Sequence, residues 1–253
     1  MTSRLPADPD AIAPSTALSS ALSTPDAHTL RTVRSFGTAR GRVTAAQKRA
    51  YEQDFPGFRV PYQPRPIDAE LVFGRQAPVI LEIGFGMGET TARIAAANPD
   101  LDFLAVEVFV AGIGALSRRL SSERLGNVRI IQHDAVDVVR HMLAPASLQG
   151  VHLFFPDPWP KHRHQKRRLL NQSFAGELAA RLRPGGYIHC ATDWQPYADQ
   201  MLVALTAQAL LRNLHVDFAP ASANPSCERP ATKFHMRGER LGYPARDLVF
   251  VRR

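Results

Sequence analysis

With 253 residues, 45% of them apolar and 21% charged, the chain can bury a substantial core, and it reads as one larger domain with a tail. No uncharged apolar run approaches the eighteen or so residues of a membrane span, and the N-terminus lacks a secretory leader's charged-then-apolar order, so the expectation is a cytoplasmic protein with no membrane partner. A formal charge of +8 favours a polyanionic partner, while Cys190 and Cys227 alone, without ligand-spaced neighbours, signal neither a disulfide framework nor a structural zinc site.

Residues 1–30 are rich in Ala, Ser, Thr and Pro and poor in large apolar side chains, which predicts a disordered tail. Residues 31–66 read as a basic arm and connector. Arg31, Arg34, Arg40, Arg42, Lys48 and Arg49 occur with no acid between Asp26 and Glu52, and Pro56, Pro61, Pro64 and Pro66 predict an extended path. The main folded domain is assigned to residues 67–253.

From Pro78 onward, apolar runs alternate with stretches of helical spacing. Strands are predicted at 79–83, 101–107, 128–132, 151–155 and 187–192, with two more near 214–218 and 248–251. Helices are predicted at 89–97 and at 169–182, where Leu170, Phe174, Leu178 and Leu182 recur every fourth position. Pro184-Gly185-Gly186 supplies a turn. The sum is a doubly wound, mostly parallel α/β sheet whose ligands belong at the carboxyl ends of its strands.

The first strand ends in Leu81-Glu82-Ile83-Gly84-Phe85-Gly86-Met87-Gly88, three glycines at alternate positions where the chain can turn tightly and approach a ligand. A dinucleotide fingerprint counted from Gly84 would need glycine where Glu89 stands, and a carboxylate near a helix N-terminus repels pyrophosphate. S-adenosylmethionine, a sulfonium cation without phosphate, suits the nearby acid Glu82. Glu107 closes the second strand about twenty residues on, where an acid can accept from ribose hydroxyls. Asp134 follows the third strand and could accept from an adenine amino group or cap a helix at Ala135. These acids at successive strand ends make a cofactor site.

Phe154-Phe155-Pro156-Asp157-Pro158-Trp159-Pro160-Lys161 follows the fourth strand beside the topological switch point, with prolines fixing the backbone around Asp157. Lys161-His162-Arg163-His164-Gln165-Lys166-Arg167-Arg168 comes next, with five cations and no acid. A helix starting near Gln165 would place those cations at its positive end, where stability does not explain them and phosphate contact does.

These segments give the chain its resemblance to the bacterial tRNA (guanine-N7)-methyltransferase family, carried further by Ala191-Thr192-Asp193-Trp194 and Arg229-Pro230-Ala231-Thr232-Lys233-Phe234 with Arg237-Gly238. The resemblance runs from about Arg34 to the C-terminus. It implies a class I methyltransferase fold with a seven-stranded sheet, and S-adenosylmethionine contacts at Glu82, Glu107, Asp134 and Asp157. It also implies substrate contacts at Lys161, Asp193 and Thr232, Lys233, Phe234 and His235, with methylation of the variable-loop guanine at tRNA position 46. His235 stands where the family carries Glu, and the segment after Glu107 lacks the family's His and Pro.

Guanine N7 has a lone pair and no proton, so positioning rather than base catalysis is the expected task. Asp157 and Asp193 are expected to accept from guanine N1–H and its 2-amino group, and Lys161 to meet either O6 or a phosphate. Arg163, Lys166, Arg167 and Arg168 are the expected phosphate contacts. Trp159 and Trp194 could each stack on the base or pack in the core. No metal is expected, because no His pair has a helical ligand spacing with a third carboxylate. A monomer or weak homodimer is the working expectation. Two other readings stay open: methylation of an exocyclic amino group, suggested by the Asp-Pro-Trp order, and a silent RNA-binding protein on the same fold.

Overall fold

The computed structural model describes residues 43–220, 224, 227–231, 233–240 and 242–253. The expected tail, Arg31, Arg34, Arg40, Arg42 and Thr232 lie outside the described residues, as do the side chains of Lys233 and Phe234.

Residues 43–66 differ from an arm and extended connector. Ala45–Gln53 (α1) opens with a capping box, in which Thr44 Oγ1 accepts from the Gln47 N–H and Gln47 Oε1 accepts from the Thr44 N–H. Phe55–Phe58 (α2) follows, with Pro56 in the first turn where its missing N–H is no loss. Ala50 and Phe55 are buried, and the Val60 N–H donates to Ile130 O. Ala50, Phe55 and Val60 are its buried apolar residues, too irregularly spaced for a helical period to show in the sequence. Ala69–Phe73 (α3) is capped by Asp68, which accepts from the Glu70 and Leu71 N–H groups.

Val79–Ile83 (β1) is buried at all five positions, the continuous burial of a parallel strand covered on both faces. With Asp102–Glu107 (β2), Val128–Gln132 (β3), Leu148–Phe154 (β4), Leu182–Thr192 (β5), Leu211–Asn213 (β6) and Arg246–Arg252 (β7) it forms one sheet ordered β3-β2-β1-β4-β5-β7-β6. Strands β1 to β5 run parallel, and β7 enters antiparallel between β5 and β6. The strand order reverses between β1 and β4, so the mouth of the fold opens there.

Glu89–Ala97 (α4) and Val110–Glu123 (α5) cover one face, where Ile94, Ile113 and Leu116 pack with Ile80, Phe103 and Ile130. Ala135–Asp137 (α6) leads into a π-helical turn at Val138–Met142. That turn covers the other face with Gln172–Arg181 (α7) and Gln195–Thr206 (α8), through Val139, Phe174, Leu178, Tyr197 and Met201. No described helix is long and apolar enough to cross a membrane.

Several bounds differ from the sequence expectation, and β4 and β7 start three and two residues earlier, at Leu148 and Arg246. Helix α7 starts at Gln172, because the Asn171 side chain accepts from the Phe174 N–H, although Leu170 and Leu182 are buried as their spacing implied. Strand β5 begins at Leu182 opposite Leu148 and continues after a shift in register, so Pro184 to Gly186 lie within it. Residues 214–218 form no strand; β6 is finished at Asn213, whose side chain donates to Asp217 O and accepts from the His215 N–H, closing a turn. A further helix, Lys233–Arg240 (α9), precedes β7.

Candidate active site

Gly84, Gly86 and Gly88 have φ of 72°, 57° and 69°, a left-handed backbone that costs glycine little. A Cβ at Gly84 or Gly86 would meet nothing within 4 Å, so the loop borders open space. From behind, the loop is held by α5: a Cβ at Gly112 would lie 2.1 Å from Gly86 O. Glu107, ending β2, fastens it further, Oε2 accepting from the Gly86 N–H at 3.0 Å and Oε1 from the Val108 and Phe109 N–H groups at 2.7 and 3.1 Å. Burial pushes the Glu107 carboxyl up, the three N–H groups draw it back, and the charge of Asp157 adds to the rise. Glu107 and Asp157 therefore share one field.

Glu82, at the penultimate position of β1, is 3% exposed. Burial raises its pKa to about 7, against a smaller downward pull from the Thr91 hydroxyl. Its Oε2 finds no hydrogen bond of good geometry among the described residues. A buried acceptor in that state awaits a donor or a cation. Asp134 caps α6, Oδ1 accepting from the Val136 N–H at 2.9 Å.

After β4 the backbone is held in two sparsely populated conformations: Phe155 at φ 51° and Trp159 at φ 41°. Each costs about 1–3 kcal/mol unless its surroundings fix it, and the Phe155 N–H is tied to Ala191 O at 2.7 Å. Asp157, between them, is exposed at the mouth of the sheet. Lys161, Arg163, Lys166 and Arg167 are exposed as well.

The cationic run forms a 3-10 helix, His162–Arg167, and no α-helix begins near Gln165. Lys166 and Arg167 therefore fall in the last turn of the 3-10 helix, where its dipole favours cations. Arg168 is also a correction: it is buried, donating from Nε to Pro158 O at 2.9 Å and from Nη1 to Gln200 Oε1 at 2.7 Å, with its guanidinium 5.0 Å from the Tyr197 ring. It faces inward and buckles the loop to α8 through a carbonyl, an amide and an aromatic face. Arg167 lies 5.0 Å over the Trp159 ring, whose edge meets His164. Trp194 packs against the core beneath α8.

Asp193 is exposed just past β5. Helix α9 comes close to it, since a Cβ at Gly238 would lie 3.8 Å from Asp193 Oδ2. His235 Nε2 meets Glu239 Oε1 at 2.9 Å within the same helix. Beneath this corner, Arg229, His189 and Asp247 form a buried cluster that the sequence did not single out. Tyr62 is a further unforeseen neighbour, stacking on His133 with centroids 3.7 Å apart beside Asp134. Among the described residues, no three His, Cys, Asp or Glu side chains are grouped to hold a metal ion.

Residues 76–248 match the family model described as "Putative methyltransferase". The tRNA (guanine-N(7)-)-methyltransferase of Bordetella pertussis is 53% identical over 257 residues, covering 100% of both chains. The chain belongs to the tRNA (guanine-N7)-methyltransferase family. The family's member from Burkholderia cenocepacia is 56% identical over 223 residues, covering 88% of this chain and 86% of its own. Among solved structures, a 16S rRNA methyltransferase, KamB, aligns with TM-score 0.53 at 16% identity over 74% of this chain and 94% of its own, a likeness of fold.

Proposed function

We propose that the chain transfers a methyl group from S-adenosylmethionine to N7 of guanine in tRNA, at position 46 of the variable loop. The observation that carries this reading is the field shared by Glu107, which holds the glycine loop through the Gly86 N–H, and the exposed Asp157, whose loop continues into four exposed cations. The relatives named for this reaction, at 53–56% identity, support the substrate.

When bound, S-adenosylmethionine supplies an electrophilic methyl group on a sulfonium centre. The residues fit such a molecule: Glu82 offers a buried unmatched acceptor to a cation, and the space over Gly84 and Gly86 admits it. Glu107 and Asp134 would hold its ribose and adenine. Asp157 and Asp193 accept from N1–H and the 2-amino group of guanine, which turns N7 toward the methyl and favours the positive charge that develops on the base. Adenine presents neither donor in that pattern. Lys161 meets O6 or the neighbouring phosphate, while Arg163, Lys166 and Arg167 hold the backbone of the RNA; Thr232, Lys233, Phe234 and His235 are further substrate contacts in this reading. Holding both reactants aligned can lower the barrier by about 7–11 kcal/mol.

The test is purified protein with labelled S-adenosylmethionine and tRNA lacking the modification, digested to nucleosides and read by mass. Labelled 7-methylguanosine mapping to the variable loop is expected. Label on an exocyclic amino group, or none, overturns the reading.

A further inference from the structure

The side chain of Arg229 has 0% exposure, so its charge is held by protein groups alone. A buried cation is stable only when its hydrogen bonds and countercharge are in place. Here Nε donates to Asp247 Oδ1 at 2.8 Å and Nη2 to Asp247 Oδ2 at 2.6 Å, the two-pronged geometry that fixes orientation as well as distance. Asp247 Oδ1 also lies 2.7 Å from His189 Nε2. Burial alone would raise the Asp247 pKa, but Arg229 and His189 together more than reverse this, so the group is a carboxylate paired with the guanidinium.

The remaining faces of Arg229 point at the substrate side. Its guanidinium carbon is 5.2 Å from the centre of the Phe155 ring and 5.9 Å from that of Phe154. Nη2 and Nη1 lie 3.4 and 3.5 Å from His235 Nδ1 on α9. One side chain thus touches the strained residue that leads β4 into Asp157, reaches through Asp247 to His189 on the strand that leads to Asp193, and braces the helix that packs on Asp193. A left-handed Phe155 needs outside support, and the cation under its ring supplies some.

We infer that Arg229 is a positioning residue: it sets the spacing of Asp157, Asp193 and α9, and so aligns guanine with the methyl donor without touching either reactant. The inference rests on the function proposed above. The cofactor side is fastened separately, by Glu107 on the Gly86 N–H and by α5 beneath the loop. Loss of the Arg229 fork should therefore separate turnover from cofactor affinity.

The experiment compares wild type with Arg229→Lys, Asp247→Asn and the double variant. It measures melting temperature, the S-adenosylmethionine Kd by calorimetry, and kcat and KM for 7-methylguanosine formation. Lysine keeps the charge but not the fork, and asparagine keeps the shape but turns a donor toward a donor. In each single variant kcat at saturating substrates is expected to fall on the order of 10- to 100-fold, the scale of a reactant misplaced by about an ångström, with Kd within about twofold of wild type. The double variant should be no worse than the poorer single one, as for residues acting as a unit. If Arg229→Lys does not fold, the isosteric Asp247→Asn carries the same comparison. A folded variant with wild-type kcat overturns the inference, and so does a Kd that rises in step with the loss of kcat, which would mean general loosening. Wild type that forms no 7-methylguanosine in this assay would instead refute the functional reading.

Discussion

Asp157 stands between two residues, Phe155 and Trp159, whose backbones are in the left-handed region, so its carboxylate is presented by a loop with little freedom to drift. Replacing it with alanine should leave the fold and melting temperature nearly unchanged, because the side chain is exposed. Turnover should fall by about 100- to 1,000-fold, the usual cost of removing one aimed hydrogen-bonding group; a steady-state rate near wild type would take Asp157 out of the reaction. The placement of Glu82, the three glycines, Glu107 and Asp157 was legible in the sequence because each lies within a few residues of a recognisable strand end. The Arg229 cluster was not, since its partners are 18 residues apart in one case and 58 in another. Only folding reveals that an isolated arginine beside a proline has a carboxylate waiting in the core. Arg168 misled for the converse reason: nothing local distinguishes an inward cation from its outward neighbours.

The 3-10 segment His162–Arg167 acts as a strip of charge, fixed at one end by Arg168 and backed by Trp159. Changing Arg163 and Arg167 to glutamate should weaken tRNA binding and reduce its dependence on salt. Each lost phosphate contact lowers the slope of log K against log salt by about 0.7 to 0.9. Cofactor affinity should not move, and calorimetry checks this. In α5 the close approach of Gly112 to the glycine loop leaves no room for a methyl group. Gly112→Ala should destabilise by about 1–3 kcal/mol, as overpacked positions do, and weaken cofactor binding with it; differential scanning fluorimetry and calorimetry would show both. The central strands and α4 were readable from continuous burial and glycine punctuation. Helices α1 to α3 are short and carry few buried side chains, and β6 has three residues, so neither period had length enough to register.

Across the whole molecule, the buried Glu82 links the site to global stability. A carboxyl whose folded pKa is raised holds its proton more tightly in the native state than in the unfolded chain. Stability from this group is thus greatest below about 4.5, falls as pH rises toward about 7, and is constant beyond. At about 1.4 kcal/mol per unit, the effect is on the order of a few kcal/mol. Without cofactor, Glu82→Gln should melt higher than wild type above pH 7, the gap closing as the pH falls toward 4.5. Equal melting curves across that window would show that the group is hydrated rather than buried. The doubly wound architecture was legible as a whole because its strand and helix signals alternate; the strand inserted out of sequence at β7 leaves no mark in any local pattern.

That insertion bears on how the molecule assembles. Because β7 sits between β5 and β6 and Val251 pairs with Tyr187, the far half of the sheet can close only after a long loop has returned. Loop closure of that kind is entropically slow, so in refolding the wall carrying Asp247 should consolidate after the parallel half. A nascent protein would then acquire its grip on the methyl donor before its grip on RNA.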